Sequence, residues 1–489
     1  MISDIKYSGL KSILKKSLRY PKLLYFFSLF IVQIYNILLL PIITGGLSEI
    51  DYGNYITIFQ FIGFAQAVLS PFYSGGLMKF WNELNLKNRI EYLNSIMLFL
   101  IIGFITLISA LLPFILSTNY KLVYFDNIDD KLLFLMTIIL FIRIINSFLL
   151  SFYRINIKPL KHLYYSVIFF LSISIQISLL YFNDQISLEN IIYVFLFSEL
   201  ISSIYLLNNY TDYFKFQFRY KYLIKHYSFS FTLILSTICF IIFQNLDRFF
   251  LRINSDNLLF AQYSTALSIS LISSLFVTAI SSSDFPYLKK VSVSLKESNE
   301  IIVLKKNQSM YMMYLISIIL ISSNDLFFKI FAEKYHTVQT TLCLNLLVIS
   351  NFYRLKYLYN ENNLFILDKN KQILITKAFI LILGIIFLNF FINKNPLLSF
   401  PVAFIMTFIL ADLISNFMIY SKIVNFSYKD LKVHFNGITL ILISFALYLL
   451  EVNNVSLGII LFIKIIFILS TLFLLIRKIL EKINVSKLW

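Results

Sequence analysis

Fourteen runs of apolar residues follow one another along the chain, at 23–43, 55–77, 93–117, 132–153, 163–182, 190–207, 228–251, 258–283, 310–332, 338–360, 373–392, 397–420, 435–450 and 456–476. A helix needs about 20 such residues to cross the hydrocarbon core of a bilayer. Each run therefore predicts a membrane span. The polar gaps between the runs alternate in charge. Lys11, Lys15, Lys16 and Arg19 precede the first run, and Lys87 and Arg89, then Arg154, Lys158 and Lys161, then Lys215 and Arg219, fill the second, fourth and sixth gaps. Lys289 and Lys290, Lys369 and Lys371, Lys429 and Lys432, and finally Arg477 and Lys478 continue the rhythm. The odd gaps are poor in cations and carry Glu49, Asp51, Asp126, Asp129, Asp130 and Asp184. Cytoplasmic loops are the ones enriched in Lys and Arg. This places both termini in the cytoplasm and demands an even number of spans. Fourteen fits, and twelve is the competing count, because the thirteenth run is short and Lys464 interrupts the fourteenth.

Composition supports the same class. The 489 residues are 59% hydrophobic and only 14% charged, with a mean hydropathy of +0.79. A soluble domain carries about 25% charged residues. The net charge of +17 does not point to nucleic acid, since the cations sit at the ends of apolar runs, where anionic inner-leaflet lipids attract them. No gap exceeds about 30 residues, so no catalytic domain fits outside the bilayer. The two cysteines, Cys239 and Cys343, lie within predicted spans and give no disulfide or metal framework. No HExxH, Walker or GxSxG motif occurs, and no cofactor or metal is expected. The first apolar run is too long for the core of a cleaved signal peptide.

Ionised side chains inside a span are expensive and need a reason. Arg143 lies near the middle of the fourth predicted span, and either faces a polar cavity or pairs with another helix. Asp247 and Arg248 adjoin near the end of the seventh. Arg354 and Lys356 occupy the tenth, Lys377 the start of the eleventh and Lys464 the fourteenth; snorkelling competes with function for each lysine. Glu199 and Asp412 are acidic exceptions, suited to ion coupling or to a salt bridge with Arg354 or Lys377. A cavity lined by Arg143, Arg248, Arg354, Lys356 and Lys377 would be positive, and guanidinium forks match phosphate oxygens. That implies an anionic, phosphorylated cargo. Asn36, Gln60, Gln66, Asn146 and Gln244 are either contacts to a hydroxyl-rich cargo or interhelical hydrogen bonds, as are Gln33 and Asn345. Pro41, Pro71 with Gly75 and Gly76, Pro113, Pro286 and Pro401 mark bends. A faint repeat relates the region of Asn36 and Gly53-Asn54-Tyr55 to that of Asn245 and Ala261-Gln262-Tyr263, six spans later, which divides the chain into two lobes of like orientation.

The run Asn36-Ile-Leu-Leu-Leu-Pro41, Leu47-Ser48, Asp51-Tyr52-Gly53-Asn54-Tyr55, with Gly75-Gly76, resembles the polysaccharide flippases that translocate O-antigen or capsule repeat units. These form one branch of the multidrug/oligosaccharidyl-lipid/polysaccharide (MOP) exporter superfamily. Asp247-Arg248-Phe-Phe-Leu251, Tyr263, Ala266 and Pro286 match in the second lobe. The resemblance implies an all-α polytopic fold, with two six-helix lobes around a central cationic cavity and two further C-terminal helices. The implied boundaries are 1–208, a linker at 209–227, 228–421, and 422–489. It further implies a bacterial inner-membrane protein, not an enzyme, that moves an undecaprenyl-pyrophosphate-linked oligosaccharide outward by alternating access. Coupling to H⁺ or Na⁺ and contact with membrane lipids and other polysaccharide-assembly proteins go with that reading. Span one lacks the Arg-Asp pair of the peptidoglycan-precursor branch, which argues against lipid II as cargo. A cation-coupled multidrug exporter and a membrane enzyme such as an O-antigen polymerase are the competing readings. A cationic cavity repels the usual cationic drugs, and the short outward gaps lack the long loop of a polymerase.

Overall fold

The computed structural model describes residues 24, 27–28, 30–32, 35, 38–70, 77, 80–81, 84–115, 128–156, 158–208, 210, 217–291, 298–366, 369–392, 395–420, 428–453, 459–460 and 462–471. Asn36, Gln33, Pro71, Gly75 and Gly76 lie outside these residues. Among the described residues every regular element is a helix. The chain is an all-α polytopic membrane protein; among the described residues nine helices are long and apolar enough to cross a bilayer, or ten if a helix pair bent at a break counts as one span. It divides into two compact units, Met1–Asn245 and Leu246–Trp489.

In the first unit, α1 (Leu40–Gly46) leads into α2 (Glu49–Leu69), followed by α3 (Leu86–Ile115), α4 (Asp130–Ile155), α5 (Pro159–Phe182), α6 (Leu188–Asn208) and the start of α7 (Tyr220–Asn254). Local chemistry sets the ends. Ser48 caps α2 by accepting from the Asp51 backbone N–H at 3.1 Å and donating to its carboxylate at 2.8 Å, which satisfies an orphan donor of the first turn. Pro159 opens α5 where no N–H is needed. The helix closes in a Schellman turn. Asp184 takes φ +54°, its N–H bonds the Tyr181 carbonyl, and the Gln185 N–H reaches back to Leu180 at 2.9 Å. Helix α4 is the hub of this unit and packs against α2, α3, α5 and α6.

The second unit continues with α8 (Asn257–Val291), α9 (Ser298–Ser322), α10 (Asn324–Phe331), α11 (Val338–Ile366), α12 (Asn370–Phe391), α13 (Pro396–Tyr420) and α14 (Tyr428–Val452). A short apolar helix, α15 (Phe462–Thr471), lies in the last predicted run. The ninth predicted span is α9 plus α10, bent by 60°. The break falls at Ser323-Asn324-Asp325, where side chains take over backbone partners. The Ser323 hydroxyl donates to the Ile319 carbonyl at 2.6 Å, and Asn324 Oδ1 accepts from the Asp325 N–H at 2.7 Å. Pro113, Pro286 and Pro401 lie within unbroken helical segments. Helix α11 is the hub here and contacts α8, α9, α10, α12, α13 and α14. That enclosure lets a helix carrying Arg354, Lys356 and Glu361 exist within a membrane unit.

Candidate functional site: paired charges on the hub helices

In the first unit, Arg143 and Asn146 stand one turn apart on α4 and meet Glu199 on α6. Arg143 Nε donates to Glu199 Oε1 at 2.6 Å. Asn146 Nδ2 donates to Glu199 Oε2 at 2.9 Å, and the Tyr165 hydroxyl on α5 adds a third donor at 3.3 Å. Ser203, one turn beyond Glu199, donates to Asn146 Oδ1 at 2.8 Å and so fixes the amide with its donor toward the carboxylate. The Arg143 guanidinium also lies 5.8 Å from the Phe59 ring centroid on α2, within cation–π range. An aromatic wall of Tyr35, Tyr55, Phe59 and Phe195 adjoins it, with Phe59 and Phe195 4.2 Å apart. Glu199 is 2% exposed, while the Arg143 side chain keeps 14%. Arg143 thus stands in an ion pair and beside an aromatic face together.

The second unit repeats this chemistry. Lys356 and Asn360, one turn apart on α11, meet Asp412 on α13. Lys356 Nζ lies 2.8 Å from Asp412 Oδ2, and Asn360 Nδ2 donates to Asp412 Oδ1 at 2.8 Å. Asn360 also reaches Ser415 Oγ at 3.0 Å. Its carbonyl oxygen accepts from Lys306 Nζ on α9 at 3.3 Å, which sets the amide's orientation. The Lys356 and Asp412 side chains are each 1% exposed. Asp412 is therefore held by Lys356 and Glu199 by Arg143, neither of them by Arg354 or Lys377, because the hub helix of its own unit sets a cation against each carboxylate. Lys377 on α12 instead pairs with Glu361 on α11 at 2.6 Å. Arg354 stays half-buried and donates to Ser274 on α8 at 3.3 Å.

Asp247 is fully buried. It accepts from the Tyr263 hydroxyl at 2.5 Å and from the Arg248 N–H at 2.7 Å. The Arg248 Nε is 3.7 Å away and its side chain 26% exposed. Gln60 is buried on α2, and neither end of its amide has a hydrogen-bond partner among the described residues. Gln66 and Gln244 are half-buried and join none of these clusters. Lys464 on α15 is 3% exposed and binds Asp325 at 2.5 Å, Glu451 at 2.9 Å and Asn324 Oδ1 at 3.0 Å. Glu361, Asp325, Glu451, Asn360 and Tyr165 were not among the sequence candidates. Helical spacing gives one signal for them. Glu361 falls seven residues after Arg354, and Asn360 four after Lys356, on shared faces of α11. Among the described residues no group of three or more His, Cys, Asp or Glu could hold a metal ion.

The five expected cations thus separate by residue type. Arg143, Arg248 and Arg354 remain partly open, whereas Lys356 and Lys377 are enclosed with a carboxylate each.

No protein-family model matches the chain. No curated protein matches it either. Solved structures do. A lipid II flippase, MurJ, in an inward closed conformation superposes with a TM-score of 0.71 at 16% identity, over 94% of this chain and 99% of that one. A MATE transporter matches with a TM-score of 0.63 at 12% identity, over 83% and 96%. A MOP superfamily transporter from Pyrococcus furiosus gives 0.63, 12%, 83% and 96%. The chain has the fold shared by the lipid II flippase and the MATE transporters of the MOP superfamily.

Proposed function

We propose that the protein is a flippase for lipid-linked oligosaccharides, carrying undecaprenyl-pyrophosphate-bound repeat units from the inner to the outer leaflet of the bacterial inner membrane. The observation that carries this reading is the set of three half-buried arginines on membrane helices, Arg143, Arg248 and Arg354. Arg143 engages Glu199 through Nε, and no hydrogen bond joins its terminal nitrogens to another described residue. That outer edge is the fork that accepts two phosphate oxygens. The fold shared with a lipid II flippase supports the same class. The aromatic wall beside Arg143 supplies faces for sugar rings, and Gln60 an unspent amide. In this reading the two units alternate access, both termini are cytoplasmic, and H⁺ or Na⁺ drives the cycle.

A deletion strain is the test. Lipid-linked repeat units should accumulate on the inner leaflet while their synthesis continues, and Arg143→Ala should fail to restore export although Arg143→Lys restores part. Normal surface polysaccharide in the deletion strain refutes the assignment. The MATE likeness makes multidrug export the second reading. Loss of cationic-dye efflux in that strain, with polysaccharide intact, would select it.

A further inference from the structure

The two hub helices carry the same four-residue device. In each unit a cation and an asparagine one turn apart on the hub helix bind one carboxylate, and a serine one turn beyond that carboxylate bonds the asparagine. The members are Arg143, Asn146, Glu199 and Ser203 in the first unit, and Lys356, Asn360, Asp412 and Ser415 in the second. In both, the carboxylate stands on the second spanning helix after the hub. Shared connectivity in two halves that keep the Asn and Ser but differ in the cation and the carboxylate identifies a device rather than a chance contact.

The second copy is the more enclosed. A buried carboxylate needs a counter-ion, since a lone charge in a low-dielectric interior is untenable. Asp412 receives an ammonium on Oδ2 and an amide N–H on Oδ1. Its backbone carbonyl is taken by the Ser415 hydroxyl at 3.0 Å. The carboxylate oxygen left over, Oδ2, takes the chain's own ammonium, so the position beside Asp412 that a monovalent cation would fill is filled by Lys356.

We propose that the Asp412 pocket is a monovalent-cation site whose ion is covalently tethered: Lys356 is the bound cation of the second unit, so neither Na⁺ nor K⁺ occupies that position in the native protein. The inference concerns the ion chemistry of one unit and holds whatever the cargo is. It gives Asn360 a defined task. Its carbonyl end faces the Lys306 ammonium and its N–H₂ end faces Asp412, so it separates two cations while serving one anion. It also withdraws Asp412 from the carboxylates free to take a driving ion, and the first unit's copy withdraws Glu199 in the same way.

The experiment uses the full-length protein purified in detergent, with thermal stability read in choline, Na⁺, K⁺ and n-propylammonium chlorides at equal ionic strength. Any Na⁺- or K⁺-dependent shift of the native protein should persist in the double variant Lys356→Met with Asp412→Asn, because the ion then binds elsewhere. Lys356→Ala should melt lower by roughly 5 °C in choline. It should recover at least half of that loss in n-propylammonium, which restores both the removed stem and its charge. A Na⁺- or K⁺-dependent shift of the native protein that the double variant Lys356→Met with Asp412→Asn loses overturns the proposal, as does an Ala variant that ignores propylammonium. If Lys356→Ala does not fold, the neutral pair Lys356→Met with Asp412→Asn decides. It should express and melt above Lys356→Met alone, in a manner independent of the cation. A double variant no better than the single one overturns the counter-ion role.

Discussion

At the residue scale, the informative side chains are those whose polar atoms are either fully matched or wholly unmatched. Glu199 accepts from Arg143, Asn146 and Tyr165. Gln60 stands at the other extreme, buried with both ends of its amide unused. An unmet buried polar group costs about 1–3 kcal/mol. Gln60→Leu should therefore raise the melting temperature of the purified protein by a few degrees and, under the proposed flippase function, lower transport, because in that reading cargo takes up the amide. A Leu variant that is less stable, or that transports normally, removes Gln60 from the site. The sequence marked Gln60, Arg143 and Glu199 as exceptions within apolar runs. It could not say that the last two bind each other, because helices four and six of the apolar pattern carry no register relative to one another. The second copy of the device was equally hidden. Lys replaces Arg and Asp replaces Glu, so the charged pair of the repeat survives in geometry, while only the Asn and Ser keep their identity. The repeat that the sequence offered, around Asn36 and Asn245, lies elsewhere, and Asn36 itself falls outside the described residues.

At the element scale, hydropathy was sufficient wherever a helix faces lipid or a neighbour uniformly, as in α4, α5 and α12. It was insufficient at Ser323, where an apolar run continues through a 60° bend. Polar side chains that capture local backbone groups end a helix without changing average hydropathy much. Close helix approach is another property that composition hides. Gly437 on α14 lies against Tyr353 of α11, and a Cβ placed there would stand 2.2 Å from the tyrosine hydroxyl. Gly437→Ala should destabilise the protein by about 1–3 kcal/mol through overpacking. Tyr353→Phe in the same background should recover part of the loss, since the hydroxyl is the nearest atom. A thermal-shift series on the native protein, the two single variants and the double variant reads this directly, and additive effects would show that the two residues do not meet.

At the scale of the molecule, the chain confines its polar chemistry to the interiors of its units and presents apolar faces outward. Phe182, Phe390, Phe417 and Phe462 are among the exposed large side chains, as lipid contact requires. Its last helix is attached by charge as well as by packing. Lys464 joins α15 to the bend of the broken span through Asp325 and to the end of α14 through Glu451, with His336 3.4 Å from the other Asp325 oxygen. Lys464→Met leaves two carboxylates facing each other. It should lower the melting temperature and speed proteolysis within the C-terminal helices, and adding Glu451→Gln should reverse part of both. Unchanged proteolysis in Lys464→Met would mean that packing alone holds α15. The lysine was legible from the sequence as an interruption of the fourteenth run. Its partners were not, because Asp325 lies far away in the chain, at a bend that hydropathy does not see.

The enclosed pairs have an electrical consequence. A single elementary charge carried across the membrane potential exchanges about 2.3 kcal/mol per 100 mV. Arg143 with Glu199, Lys356 with Asp412, and Lys377 with Glu361 each place a cation and an anion within one unit, so each pair travels through the field as a dipole of zero net charge. Whatever motion these helices make, the three pairs contribute almost no gating charge, and their part of the cycle is indifferent to the voltage under which the cell keeps its membrane.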